Sequence, residues 1–188
     1  MQTWLPEIGY ADSVRKLDTR RLRKLREDCW QVLQMLESLP TNQVTGLQNA
    51  LVTMWRGHER SLCLLGIMAC SELRIGRREE CNMWGDFHEL DTELKDAGLH
   101  ATPPPWLRDG DIHRAYRSNL IRMSNGFVSL WPNTPERMPY LFPQIVGSDP
   151  RGYRIRLSNA DIRRIGCGER KLPEWLWWDP NKREVVGF

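Results

Sequence analysis

The chain has 188 residues, 40% hydrophobic and 27% charged, with a net charge of +3. That size and balance suit a soluble globular protein with one full core and at most a small appendage. The longest apolar stretch, Leu62 to Cys70, is too short to span a membrane, and five cysteines without CxxC spacing argue against a disulfide frame or a zinc site.

The chain opens Met1-Gln2-Thr3-Trp4-Leu5-Pro6-Glu7, without the basic region and apolar run of a signal peptide, so reduced thiols in a cytoplasmic protein are expected. The first predicted helix starts near Asp18 or Thr19 and ends before Pro40. Leu22, Leu25, Cys29, Val32, Leu33 and Leu36 form its apolar stripe. Its other face carries Arg20, Arg21, Arg23 and Lys24, followed by Arg26, Glu27 and Asp28. Arg26 falls inside the apolar stripe, where an arginine needs a partner or a ligand. Cations around a carboxylate suit a site that grips phosphates and stabilises a positive charge forming between them. The plainer alternative is a solvated helix face with ordinary i,i+4 support.

A second helix fits residues 48–75, with Leu51, Met54, Trp55, His58, Leu62, Leu65, Ala69 and Leu73 on one stripe. His58 reads as a hydrogen-bonded core histidine, and Gly57 and Gly66 as close-packing interruptions. A third helix is predicted over 79–97, with Trp84 in its apolar set. Pro103-Pro104-Pro105 forms a stiff extended link. Asp109 or Asp111 caps a fourth helix over 112–123. There His113, Tyr116, Arg117 and Leu120 share a face that suits phosphate or base contacts. The competing reading docks that helix through Ile112, Ala115, Asn119 and Met123.

Five prolines between 132 and 150 make helices improbable up to residue 150. Tyr153–Leu157 alternates like a strand, and Glu184-Val185-Val186 is a second candidate strand. Trp175, Trp177 and Trp178 lie beside a basic segment, where aromatics either stack on bases or pin the tail to the domain. The expected fold is mainly α. A compact single-domain helical bundle covers 1–143, and a small irregular or β extension, basic and aromatic, covers 144–188.

Charge is unevenly spread. Residues 13–26 carry seven basic groups and one acid, residues 151–171 seven and two, and residues 79–96 seven acids and one lysine. Such asymmetry fits a nucleic-acid footprint with an acidic face turned away, or simply solvated surface.

Several blocks, in this order, resemble one family. They are MQTWLPE, LDTRRLRKLREDCWQVL, MWRGHERSL, and PPWL with HRAYRSNLIR, followed by PYLFP. Together they resemble the pyrimidine-dimer DNA glycosylases of the endonuclease V type, in the bacterial and phage branch that starts MQT-aromatic-LP. The resemblance covers residues 1–143. It implies an all-helical, metal- and cofactor-independent enzyme, acting as a monomer on double-stranded DNA in the nucleoid. Such an enzyme flips a damaged pyrimidine out of the duplex and cuts its N-glycosidic bond in base excision repair, with a possible β-elimination step.

The resemblance also implies roles for particular residues. The family's Arg-Glu pair maps onto Arg26 and Glu27, with Asp28 as the alternative carboxylate. The nucleophile is an N-terminal α-amine, which here would be that of Met1 or Gln2; an α-amine with a pKa of about 7.7–8.0 is closer to unprotonated at neutral pH than a lysine. Gln2 departs from the family's small residue, so water activated by Glu27 or Asp28 is the other option. The resemblance and the basic first helix together point to DNA contacts from Arg20, Arg21, Lys24 and Arg26, and the residue patterns alone add His113, Arg117, Trp177 and Trp178. A hypermodified pyrimidine of phage DNA, such as a glucosylated hydroxymethylcytosine, is the alternative substrate, in antiviral defence. A non-enzymatic DNA-binding protein, or an enzyme of another class, completes the alternatives.

Overall fold

The computed structural model describes residues 3–38, 52–145, 152–157, 161, 163, 176–179 and 184–187, with backbone alone at 154, 176–179 and 184–187. The described structure is mainly helical, as expected, with two small two-stranded antiparallel sheets in the C-terminal half. It divides into two compact units, Met1–Pro104 and Pro105–Phe188. The division falls within the proline run, and the expected boundary at 143/144 lies inside a strand.

The first unit holds α1 (Tyr10–Lys16), α2 (Thr19–Ser38), α3 (Glu59–Ser71) and α4 (Met83–Asp96). Ahead of α1, Thr3, Trp4 and Leu5 are buried, and the Trp55 indole Nε1 donates to Thr3 Oγ1 at 2.6 Å. Asp18 starts α2 by accepting the Arg21 amide at 2.8 Å, which satisfies an N-terminal donor of the helix. All six stripe residues named for α2 are buried. Gly66 lets α3 approach α4: a Cβ built there would lie 2.2 Å from the Phe87 ring. Trp30 of α2 meets the same ring edge-on at 5.1 Å. Arg60 of α3 and Asp91 of α4 pair at 2.9 Å.

The second helix is shorter than the sequence pattern implies. Gly57 has φ +78°, a left-handed conformation that ends the helical stripe and lets α3 begin afresh after His58. His58 is half-exposed rather than core, and its Nδ1 lies 2.8 Å from the Thr102 carbonyl. Leu51, at the start of that predicted stripe, lies outside the described residues.

At its C-terminus α3 widens into one π turn, Glu72–Gly76, in which the Arg77 amide donates to the Glu72 carbonyl at 2.9 Å. Arg78 follows at φ 57°, a rare left-handed position for a side-chain-bearing residue. Arg77 anchors this turn to the end of α1 through the Arg15 and Leu17 carbonyls. The chain is thereby turned back so that Glu79 and Cys81 meet the side chains of α2.

In the second unit a 3-10 turn, Pro105–Arg108, leads into α5 (Gly110–Met123). Asp109 is its cap, accepting the Asp111 amide at 3.1 Å. A 3-10 turn at Asn125–Leu130 stacks Phe127 on Trp131 at 5.7 Å. Strands β1 (Leu141–Ile145) and β2 (Tyr153–Leu157) pair antiparallel, with Pro143 opposite Ile155. Tyr153, Ile155 and Leu157 are buried, as the alternation predicts. Strands β3 (Leu176–Asp179) and β4 (Glu184–Gly187) pair with each other.

Candidate functional site

The turn after α3 and the exposed side of α2 enclose an open cleft of about 870 Å³. Arg23 and Arg26 enter from α2, Arg74 from the π turn, Glu79, Glu80 and Cys81 from the segment that follows, and Trp84 from α4. Arg23 makes a two-pronged pair with Glu79, both distances 2.8 Å. Arg74 lies over the Trp84 ring at 4.6 Å, a cation–π contact that fixes the guanidinium at the wall.

Arg26 is the most constrained of the three arginines. Its side chain is only 13% exposed, in keeping with its position in the apolar stripe. Nη1 donates to Cys81 Sγ at 3.6 Å and Nη2 to Glu27 at 3.3 Å, while Nε is buried without a hydrogen-bond partner. A cleft-lining guanidinium with a spare buried donor is suited to an anionic group. Glu27 itself is half-exposed beside Arg26, and with Glu79 it holds the Arg23 charge in place.

The neighbouring carboxylate is placed quite differently. The Asp28 side chain is fully buried, and Lys24 Nζ reaches Oδ1 at 2.7 Å. One residue of helix rotation, about 100°, thus separates a solvent-facing acid from an internal one. Arg20 is exposed on the same helix, and Arg21 pairs with Asp18. Lys24 is directed to Asp28 rather than left free for a phosphate.

The expected DNA-facing surface of α5 needs correction. His113 is buried, its Nε2 2.7 Å from the Leu107 carbonyl, so it serves the core of the second unit. Tyr116 and Leu120 are buried with it, beside Ile112 and Ala115, whereas Met123 is exposed. Neither sequence reading of this helix holds whole, because the buried face spans both sets. Arg117 is half-buried, 5.9 Å from the Trp131 ring. Met1 and Gln2 lie outside the described residues, as do the side chains of Trp177 and Trp178.

The sequence does not single out Arg74, Glu79, Glu80, Cys81 or Trp84 of the cleft as functional. Trp84 reads as core by periodicity, yet it is half-buried and lines the cleft. The acids of α4 rim a separate groove of about 640 Å³ floored by Trp30, Leu33 and Leu90, an unsuitable surface for phosphate. Among the described residues no cluster of metal-ligating side chains occurs, and no helix is long and apolar enough to cross a membrane. Comparison with family models, curated proteins and solved structures finds no match to this chain.

Proposed function

We propose that the protein is a DNA glycosylase that releases a damaged or modified pyrimidine from duplex DNA, using the carboxylates and arginines of α2. The observation that carries this reading is the contrast between adjacent acids. Glu27 faces solvent and pairs with Arg26, an arginine that lines the cleft, while Asp28 is internal and held by Lys24. The sequence blocks that resemble the pyrimidine-dimer glycosylases give the reading its reaction class. In it, Glu27 stabilises the oxocarbenium-like sugar as the base departs, and Arg20, Arg23 and Arg26 steer and hold the phosphates. An α-amine nucleophile, if used, then forms a Schiff base with C1′, and the same carboxylate handles the proton lost in β-elimination.

A second assignment within this reading has its own support. Complete burial is rare for an aspartate, and a water-excluded carboxylate acts more strongly on developing charge than an exposed one. Comparing Glu27→Gln with Asp28→Asn separates the two. Duplexes carrying a cyclobutane dimer, or a bulky modified cytosine, are incubated with each variant, with abasic-site scoring and borohydride trapping. Glu27→Gln is expected to lower base release about 10²–10³-fold while duplex binding persists. Loss confined to folded Asp28→Asn would move the role to Asp28. No release by the unaltered protein on either duplex, with salt-dependent binding intact, would replace the glycosylase with a DNA-binding protein.

A further inference from the structure

Arg23 is 55% exposed on α2, where an arginine is well placed to meet a backbone phosphate. Its fork is already taken. Nε and Nη2 each donate to a Glu79 carboxylate oxygen at 2.8 Å, the two-pronged grip that a guanidinium also makes on a phosphate. Glu79 is set opposite Arg23 by a firmly held turn. Its amide donates to the Leu73 carbonyl at 2.9 Å, across the π turn. Arg77 ties that turn to the Arg15 and Leu17 carbonyls. Arg78, just before Glu79, holds a left-handed φ of 57°, a strained conformation for a residue with a side chain. Glu80, next along, is exposed and lines the same cleft. Arg26 and Arg74 line it too, Arg26 with its buried Nε unpartnered and Arg74 over the Trp84 ring.

We infer that Glu79 is a built-in phosphate mimic, which occupies the Arg23 fork in the free protein and yields it to a DNA backbone phosphate on binding. The step is an exchange of acceptors. Two N–H···O bonds to the carboxylate break, two to phosphate oxygens form, and Glu79 returns to water. No proton moves, because the guanidinium stays charged throughout. A phosphate that takes both prongs replaces like with like. One that comes near without displacing Glu79 meets a second negative charge and gains nothing from Arg23. Glu79 is thereby a specificity-determining residue, which penalises loose contact with duplex DNA and spares a phosphate seated in the cleft. A plain staple between the turn and α2 would have the opposite sign: breaking it would loosen the cleft and weaken binding.

This inference rests on the reading that α2 grips DNA phosphates, and it does not depend on base release. The full chain, Glu79→Gln, Glu80→Gln, Arg23→Ala and the double variant Arg23→Ala with Glu79→Gln are titrated with an undamaged duplex, by fluorescence anisotropy across a salt series. Glu80→Gln removes the same charge from the same cleft without freeing Arg23. Glu79→Gln is expected to bind about two- to fivefold tighter than Glu80→Gln at low salt, the range that a surface ion pair of this kind supplies. In the Arg23→Ala background that advantage should vanish. Should the double variant fail to fold, the comparison of Glu79→Gln with Glu80→Gln decides the question alone. Equal gains in those two would reduce Glu79 to one more negative charge, and weaker binding by Glu79→Gln would make it a staple. Either result overturns the mimic, while salt-dependent binding by the unaltered protein would keep the DNA reading. No binding by any form overturns both. Tighter binding by Glu79→Gln, in a protein that releases no base, keeps the mimic and ends the glycosylase reading.

Discussion

Lys24 and Asp28 are one helical turn apart, and the burial of one decides what the other is for. The Asp28 side chain has no exposure, while Lys24 is 56% exposed and reaches it at 2.7 Å. A charge withdrawn from water costs several kcal/mol unless it is paired, so the lysine offsets a cost that any folded state of α2 must meet. Replacing Lys24 with Met keeps the aliphatic stem and removes the ammonium. That variant should be less stable by roughly 1–3 kcal/mol, lowering the thermal midpoint by about 2–4 °C per kcal/mol in a chain of this size. An unchanged midpoint in Lys24→Met would show that Asp28 is satisfied without it. Arg23 and Glu79 make two equally short bonds but lie at the surface, where solvent and salt screen the pair. Removing Glu79 should therefore change the cleft's charge far more than its stability. These differences were partly legible: the stripe from Leu22 to Leu36 follows from spacing, and it puts Arg26 inside. That Glu27 and Asp28 part so sharply depends on what packs over α2, which no periodicity reports.

Helix packing in the first unit turns on a single hydrogen atom. Gly66 of α3 faces the Phe87 ring, and a methyl group there would sit 2.2 Å from a ring carbon. Phe87 cannot withdraw easily, since Trp30 meets its edge and Cys63 Sγ donates to its carbonyl at 3.1 Å. Overpacking of this kind typically costs about 1–3 kcal/mol, more than the roughly 1 kcal/mol that alanine returns through helix propensity. Gly66→Ala should therefore lower the urea midpoint, and a raised midpoint would show that α3 and α4 can separate without penalty. The sequence marks Gly66 as an interruption suited to close packing, and the structure gives its partner. It marks Gly57 in the same way, but there the reason is a left-handed backbone that cuts the predicted helix short. Farther along, the π turn and the left-handed Arg78 are invisible to hydrophobic periodicity, because both are departures from the 3.6-residue repeat. The cleft depends on them. Arg74, Glu79 and Cys81 therefore could not be grouped with α2 from spacing alone, and Trp84 reads as core when it is wall.

Across the molecule, the titratable groups shifted furthest among the described residues lie in the first unit, and they shift in one direction. Burial is the largest cause in each. It pushes Tyr10 from 10.0 to about 12 and Cys63 from 9.0 to about 12, and raises Cys29 and Cys70 as well. The Tyr10 hydroxyl also exchanges a 2.7 Å hydrogen bond with Ser61, which opposes the rise without cancelling it. A group whose folded pKa is raised holds its proton more tightly when folded. Its contribution is complete below the unfolded pKa and is lost as pH rises toward the folded one. For the thiols that loss begins near pH 9 and for Tyr10 near pH 10, and for Tyr10 and Cys63 it runs to about pH 12. Tyr10 alone accounts for at most about 2–3 kcal/mol over its interval, at 1.36 kcal/mol per unit. Stability measured by urea unfolding in the presence of reductant should hold steady from pH 7 to pH 9 and then fall. Tyr10→Phe, which removes the ionisable hydroxyl and keeps the ring, should fall less steeply above pH 10 while starting lower through loss of the Ser61 bond. A urea midpoint flat to pH 11 would mean that these groups meet water in the folded state. A Tyr10→Phe profile parallel to the unaltered protein would assign the alkaline loss to the thiols alone.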